Sequence, residues 1–338
     1  MKRKLLIIIG WFVSLAVLYI AFRGIGLQEL WQTLAAANYW WVIPNILIVL
    51  FAMFYRAYRW QIMLNPIKKI GLGDLFASTM VGFMASNILP LRMGEIVRAY
   101  SIGKLGRLSR SASFATIVLE RIFDIFTLLL MMAVILIGKR IPLKEENYEP
   151  VVYAGYLMLI FSIALFLLLV FLKIKSTQTL NFLRKIFKLL PERISSLLLE
   201  IFGKFAEGLT VLGDAKKMFL ISIHSILLWI IMALSNYFVF LAFGLYKLPW
   251  DASFVVLIVV TLGITLPNAP GFIGVYHGLV ILALGIYSLE VPDTSARGVA
   301  IILHGAQYVA ITGVGLFYLY RKHLSLREAK AEAEIPAD

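Results

Sequence analysis

Uncharged, apolar runs recur along this chain at the length of a bilayer span. Five qualify outright, over 5–22, 39–55, 150–172, 218–246 and 298–320. A transmembrane helix needs about 20 such residues, so each run predicts one span. A sixth span is predicted over 112–138, apolar except for Glu120, Arg121 and Asp124 near one end. Two stretches fit no single span. Residues 75–103 are apolar up to Leu91, break at Pro90 and continue as a charged arm, while 252–289 is too long for one helix and breaks between Pro267 and Gly271. Both breaks read Leu-Pro-x-x-x-Gly, at 89–94 and 266–271. Proline removes a backbone donor and clashes with the preceding turn, so each copy predicts a broken helix. Broken backbone at membrane depth is tolerated only where protein buries it or a wet cavity reaches it. The pattern predicts an all-α polytopic membrane protein, with about six spanning helices and two broken or re-entrant hairpins.

Charge gives the orientation. Lys2, Arg3 and Lys4 precede the first run, which is longer than the apolar core of about 7–15 residues in a signal peptide and reads as an uncleaved span. With the N-terminus in the cytoplasm, only Arg23, Lys139, Arg140, Lys144, Lys247 and Arg297 fall on the far side and Arg121 falls within a span; the remaining Lys and Arg, Arg56, Arg59, Arg92 and Arg98 among them, are cytoplasmic. Basic loops stay on the cytoplasmic side, so both termini are expected there, in the cell membrane. In this topology the elements at 39–55, 75–103 and 112–138 have inverted counterparts at 218–246, 252–289 and 298–320. Inverted repeats with broken helices at the midplane recur in transporters. Two unrelated Pro-Gly turns would give the same pattern, and the sequence leaves both explanations open.

Composition agrees with this reading and excludes several function classes. The 338 residues are 61% hydrophobic and 15% charged, against about 45–50% and about 25% in soluble domains. The net charge of +13 lies in the gaps between apolar runs, which is topology signalling, so no nucleic-acid partner is expected. Cysteine is absent, which removes disulfide and thiolate chemistry. No phosphate-binding Gly-x-x-x-x-Gly-Lys-Ser/Thr loop and no His/Glu metal motif occurs, so no cofactor or metal is expected. Residues 173–217 are basic, with Leu180, Leu183, Ile186, Phe187 and Leu190 at helical spacing. They read either as an amphipathic helix on the inner surface or as a solvated linker. The chain thus divides into an integral membrane domain over 1–322 and a short charged tail over 323–338, expected to be partly disordered.

Three constellations could carry chemistry. At the first break Asn87, Pro90, Arg92, Gly94, Glu95 and Arg98 follow one another. A half-helix starting near Arg92 would offer unpaired N–H groups and a positive dipole end, which suits a phosphate, and arginine adds bidentate geometry. Spaced three apart, Arg92, Glu95 and Arg98 can pair along the helix. The competing explanation is that both arginines snorkel to the surface. The second constellation is Glu120, Arg121 and Asp124, where charge inside a span must be paired. They form either a pair near the interface or a network in which Glu120 or Asp124 holds Arg92 or Arg98 until a phosphate arrives. The third is Pro267, Asn268, Pro270 and Gly271, uncharged, whose freed carbonyls and amide can hydrogen-bond a headgroup or merely form a turn at the far surface. Arg56, Arg59 and His277 are secondary candidates; His277, like His224 and His304, lies in a predicted span.

Four ordered motifs carry a resemblance: Arg56-Ala-Tyr-Arg59-Trp60, Asn87 through Ala99, Glu120-Arg121-Ile-Phe-Asp124, and Pro267-Asn-Ala-Pro270-Gly271-Phe-Ile-Gly274. Together they resemble the transmembrane, flippase-like region of the lysylphosphatidylglycerol synthase (multiple peptide resistance factor) family. That resemblance implies movement of an anionic or aminoacylated phospholipid, or a related phosphate-bearing lipid, between leaflets. It implies membrane phospholipid as the partner. The chain ends soon after its last span, so synthase activity, which belongs to a separate soluble domain, is not expected. A headgroup transferase within the membrane, or an accessory of a separate lipid-modifying enzyme such as one of a polyprenyl-linked glycolipid pathway, remains the alternative, and association with a second copy stays open.

Overall fold

The computed structural model describes residues 2–89, 93–108, 110–138, 141–142, 148–187, 191–192, 194–196, 199, 215–265 and 269–332. Among them the regular structure is helical throughout. α1 (Lys2–Phe22) turns through 82° into α2 (Leu27–Ala35). Gly24 makes the turn at φ 82°, a left-handed conformation that glycine adopts without a Cβ clash. α2 is an element the run-length reading passes over. None of its residues is buried, and Leu27 and Trp31 stand exposed, as on a helix lying in a membrane interface.

The rest of the chain is two triples with a connector. The first triple is α3 (Val42–Leu64), the broken hairpin α4 (Leu72–Ile88) and α5 (Gly94–Gly106), then α6 (Arg110–Ile137). α7 (Tyr148–Ile174) and α8 (Ser176–Phe187) lead on to the second triple. That triple is α9 (Ala215–Ala242), the hairpin α10 (Ala252–Gly263) and α11 (Val275–Gly285), then α12 (Asp293–Arg321). Every contact in one triple has its counterpart in the other: α3 on α4 and α9 on α10, α4 on α5 and α10 on α11, α5 on α6 and α11 on α12. The cross-contacts are reciprocal too, since α6 packs on α9 and α10 while α12 packs on α3 and α4, and α3 meets α9 directly. A twofold relation between the triples generates this reciprocal set.

Among the described residues, three segments are long and apolar enough to span a bilayer unaided: Tyr39–Leu64, Lys216–Ala242 and Asp293–Arg321; the bent α1–α2 pair makes a fourth. The sequence predicts about six spans, and α6 and α7 stand beside these four. Both are long enough, with 28 and 27 residues; at a rise of about 1.5 Å per residue either exceeds a hydrocarbon core of about 30 Å. The sequence of α7 is uncharged from Pro150 to Leu172, whereas charge interrupts the apolar pattern of α6 at Glu120, Arg121 and Asp124. α3 shows the same effect. Its predicted span stops at Tyr55, before the first arginine, whereas the helix continues to Leu64 with Arg56 and Arg59 buried. Those two arginines and Arg98 are therefore bundle residues and not loop charges.

Without a hydrophobic drive between helices, membrane packing relies on close approach of small residues. α4 and α5 approach so closely that a Cβ on Gly94 would lie 2.2 Å from the Gly82 carbonyl oxygen. α12 seats Gly315 against Met80 and Met84 of α4 in the same way. α8 presses Leu183 into a cluster with Trp60, Met63, Leu75, Phe123 and Met218, so its apolar stripe packs on protein.

The described part of the tail, up to Glu332, packs on the bundle. α13 (Leu326–Glu332) docks on α5, burying Leu324 and Ala329 beside Val81, Val97 and Tyr100. The Tyr100 hydroxyl and the Lys104 ammonium both donate to Glu328, and Lys322 pairs with Asp74 at 2.8 Å. Those hydrogen bonds, from Tyr100 first and then Lys104, hold the Glu328 carboxyl below its ordinary range. Its contribution to docking is therefore complete above the ordinary glutamate range and is lost as pH falls through the depressed value. Hydrogen exchange over 322–332, corrected for intrinsic rate, should lose protection as pH falls into that acidic range, and Glu328→Gln should abolish the dependence. Unchanged protection from neutral to strongly acidic pH would refute the linkage.

Candidate functional site: a buried charge network on a shared cavity

Seven charged side chains from three helices meet inside the first triple. α3 supplies Arg56 and Arg59, one helical turn apart, both buried. α6 supplies Glu120, Arg121 and Asp124, and α5 supplies Glu95 and Arg98 in its first turns. Arg56 Nη1 lies 2.9 Å from both Glu120 Oε1 and Asp124 Oδ2. Arg59 reaches Asp124 Oδ1 at 2.8 Å and donates to Ser225 Oγ. Arg98 forms a two-pronged pair with Glu120, at 3.1 and 2.9 Å. Its guanidinium also lies 3.9 Å from the Trp60 ring centre. Trp229 of α9 donates its indole N–H to Asp124.

Glu95 and Arg98 do not pair along α5 as their spacing suggests. Arg98 turns to Glu120, and Glu95 forms an ion pair with Arg121, its Oε1 3.1 Å from Nε. The physical reason is burial. A carboxylate sunk in the bundle demands several donors, and the two-pronged geometry of Arg98 supplies two. Glu120 lies about 15 Å along α6 from Arg110, at about 1.5 Å per residue. Glu120 and Asp124 are thus buried in the bundle, several turns along α6. Four arginines face three carboxylates, which leaves one positive charge in excess. The Nε atoms of Arg56 and Arg98 are buried and without a hydrogen-bond partner.

That excess faces a cavity of about 260 Å³ which both triples line. From the first come Arg56, Phe83, Asn87, Gly94, Glu95, Arg98, Arg121 and Asp124; from the second come Asn236, Thr265, Phe272, Tyr276, His304, Gln307 and Tyr308. The first residue of α5 is on the wall and so is Tyr276, in the first turn of α11, so the N-terminal, positive ends of two half-helices open onto one space. The two breaks meet here. The turn Pro270–Phe272 packs on α4, and Gly271, at φ 72°, leaves 3.4 Å between an added Cβ and the Asn87 carbonyl oxygen. His304 Nε2 lies 2.7 Å from the Gly271 carbonyl oxygen. Of the described residues of the second break, Ala269 and Gly271 are buried, with Ala269 N–H donating to Ser14.

Other expected residues are placed as follows. Asn87 reaches the cavity but spends its amide on Thr312 Oγ1 at 3.0 Å. His277 accepts from Gly274 N and packs edge-on against His304, behind the wall and not on it. Pro90, Arg92, Pro267 and Asn268 lie outside the described residues. Among the described residues no group of three or more His, Asp or Glu side chains could hold a metal ion. The sequence reading missed Phe83, Trp229, Asn236, Gln307 and Tyr308. Amides within otherwise apolar spans were the available signal for Asn236 and Gln307, while Phe83 and Trp229 look like any apolar span residue.

This arrangement sits in a sequence with known relatives. The lysylphosphatidylglycerol synthase TM region, as a family, matches residues 7–315. The chain belongs to that family. The match takes in both triples and all seven charged residues of the network. Among the relatives, a UPF0104 membrane protein of Methanothermobacter thermautotrophicus is 25% identical over 315 residues, covering 89% of this chain and 90% of its own. Another UPF0104 membrane protein, of Pyrococcus horikoshii, is 25% identical over 266 residues, covering 72% and 75%. As a member of the lysylphosphatidylglycerol synthase TM-region family, the chain is an integral membrane protein.

Proposed function

We propose that the protein translocates a phosphate-bearing lipid between leaflets, with the headgroup passing through the shared cavity while the acyl tails stay in the bilayer. The observation that carries this reading is the uncompensated positive charge of Arg56, Arg98 and Arg121 on a cavity walled by both broken hairpins. A phosphodiester brings one negative charge. It finds guanidinium donors and two helix N-termini, the same elements that broken-helix transporters aim at anionic groups. Family membership supports a lipid substrate, and the loop charges support a cytoplasmic location for both termini. The phosphate would compete with Glu120 and Asp124 for Arg56 and Arg98, so the carboxylates hold the arginines in place when the cavity is empty.

The test is leaflet exchange. Purified protein in vesicles should accelerate exchange of fluorescent phosphatidylglycerol, and Arg121→Gln should slow it about tenfold while the protein remains monodisperse. Arg121 is the appropriate variant because it is one-third exposed, so its loss leaves the buried core of the network paired. A tenfold change corresponds to about 1.4 kcal/mol, close to the lower limit for one hydrogen bond to a charged group. Arg92→Ala tests the first break in the same assay. Failure to accelerate exchange of any anionic phospholipid would overturn the proposal.

A further inference from the structure

The two walls of the cavity differ in a way that translocation of phosphate alone does not explain. Arg121, Asp124 and Ile125 of α6 and His304, Gln307 and Tyr308 of α12, the last helices of the two triples, share one spacing, i, i+3 and i+4. All six residues line the cavity. Two of the three matching positions therefore carry charge on one side, Arg121 and Asp124, and neutral hydrogen-bonding groups on the other, His304 and Gln307, while Tyr308 matches the apolar Ile125. Among the described residues the second wall has no Asp, Glu, Lys or Arg. Asn236 adds an amide whose Oδ1 is buried without a hydrogen-bond partner, in a residue only 2% exposed that is tied through its Nδ2 to Ser253. An orphaned buried acceptor is expensive unless something arrives to donate to it.

Resting on the translocation reading for the phosphate wall, we infer that the second wall takes an uncharged, hydroxyl-bearing headgroup, a polyol or sugar esterified to the phosphate, and rejects an ammonium. Charge decides between the two. A phosphodiester neutralises the single positive excess, whereas an added ammonium restores it inside a site of low dielectric. Neither carboxylate on the wall is free for an amine. Asp124 already serves Arg56, Arg59 and Arg121, and Glu95 serves Arg121. Three of the aromatic rings on the wall, Phe83, Trp229 and Tyr276, already have partners. Arg56 lies over Phe83 and Trp229, Arg121 lies over Phe83, and Tyr276 is stacked at 4.7 Å by His304. What remains suits hydroxyls, which both donate and accept: the Asn236 carbonyl, the Gln307 amide and the Tyr308 hydroxyl.

Binding tests this without requiring movement. Full-length protein in detergent micelles is titrated by native mass spectrometry with phosphatidylglycerol, phosphatidylinositol, phosphatidic acid and lysylphosphatidylglycerol of matched chains. Phosphatidylglycerol or phosphatidylinositol should bind at least tenfold tighter than lysylphosphatidylglycerol, and comparing these two distinguishes a glycerol from a ring polyol. Gln307→Leu should weaken the preferred lipid about tenfold, the loss expected when a hydrogen-bonding site meets an apolar replacement, and leave phosphatidic acid unchanged. Asn236→Leu should do the same and serves as the second variant. Equal or tighter binding of lysylphosphatidylglycerol, or an equal loss for phosphatidic acid in both variants, would overturn the inference. Selective binding without leaflet exchange would sink the translocation reading and sustain this one, whereas exchange indifferent to headgroup would do the reverse.

Discussion

Glu120→Ala is expected to destabilise the protein by about 3–5 kcal/mol, the usual consequence of leaving buried charge without its partner. Glu120 is fully buried, and Arg56, Arg98 and Arg59 all converge on it. Its removal leaves four arginines with only Asp124 and the half-exposed Glu95, raising the excess from one positive charge to two. Arg98 suffers most, because both of its recorded carboxylate contacts are to Glu120. The measurement is the thermal midpoint of the purified protein in detergent, together with the yield of monodisperse material. Glu120→Gln keeps the shape and loses the charge, so it should fall nearly as far. Combining Glu120→Gln with Arg59→Met should recover part of the loss, since Arg59 lies off the cavity wall and its removal restores the balance of charge. Full stability of Glu120→Ala would mean that the network does not hold α3, α5 and α6 together.

Much of this architecture was legible because the bilayer imposes simple rules. Apolar length located the spans, and Leu-Pro-x-x-x-Gly located both hairpins. The rules failed where charge is buried in protein. Arg56 and Arg59 looked like loop residues, since an arginine after an apolar run ordinarily marks the membrane surface; here α3 continues two further turns with both side chains paired to α6. A pairing between helices leaves no trace in either helix alone. Glu120, Arg121 and Asp124 announced that partners must exist, yet nothing in the sequence distinguishes Arg56 from Lys68 as the partner.

The neutral wall was less legible still. His304, Gln307 and Tyr308 are common residues of a moderately polar span, and only the correspondence of α12 with α6 gives their position meaning. The reciprocal contacts of the two triples supply that correspondence, which two Pro-Gly turns alone could not. A fold built from related halves can therefore place charge and neutral polarity opposite each other across one cavity.

Gly94→Ala should disable the site from a position that carries no side chain. A Cβ there would stand 2.0 Å from Ser86 Oγ, 2.2 Å from the Gly82 carbonyl oxygen and 2.8 Å from Ser86 N. Ser86 Oγ can rotate away, but the other two atoms are backbone of α4, so the arms of the first hairpin must separate. Overpacking of this kind costs about 1–3 kcal/mol and occasionally more, against a gain in helix propensity of about 1 kcal/mol for alanine over glycine. The functional loss should exceed the loss of stability. Arg98 lies one turn further along α5, and a shift of that helix by an ångström moves its guanidinium off Glu120 and away from the cavity wall. Gly313→Ala is the control, in α12 with nothing within 4 Å of the added carbon; it should keep or slightly raise the thermal midpoint. Leaflet exchange of phosphatidylglycerol by Gly94→Ala should drop at least tenfold relative to that control. Equal exchange by the two variants would show that the close approach of α4 and α5 is not what holds Arg98 at the cavity.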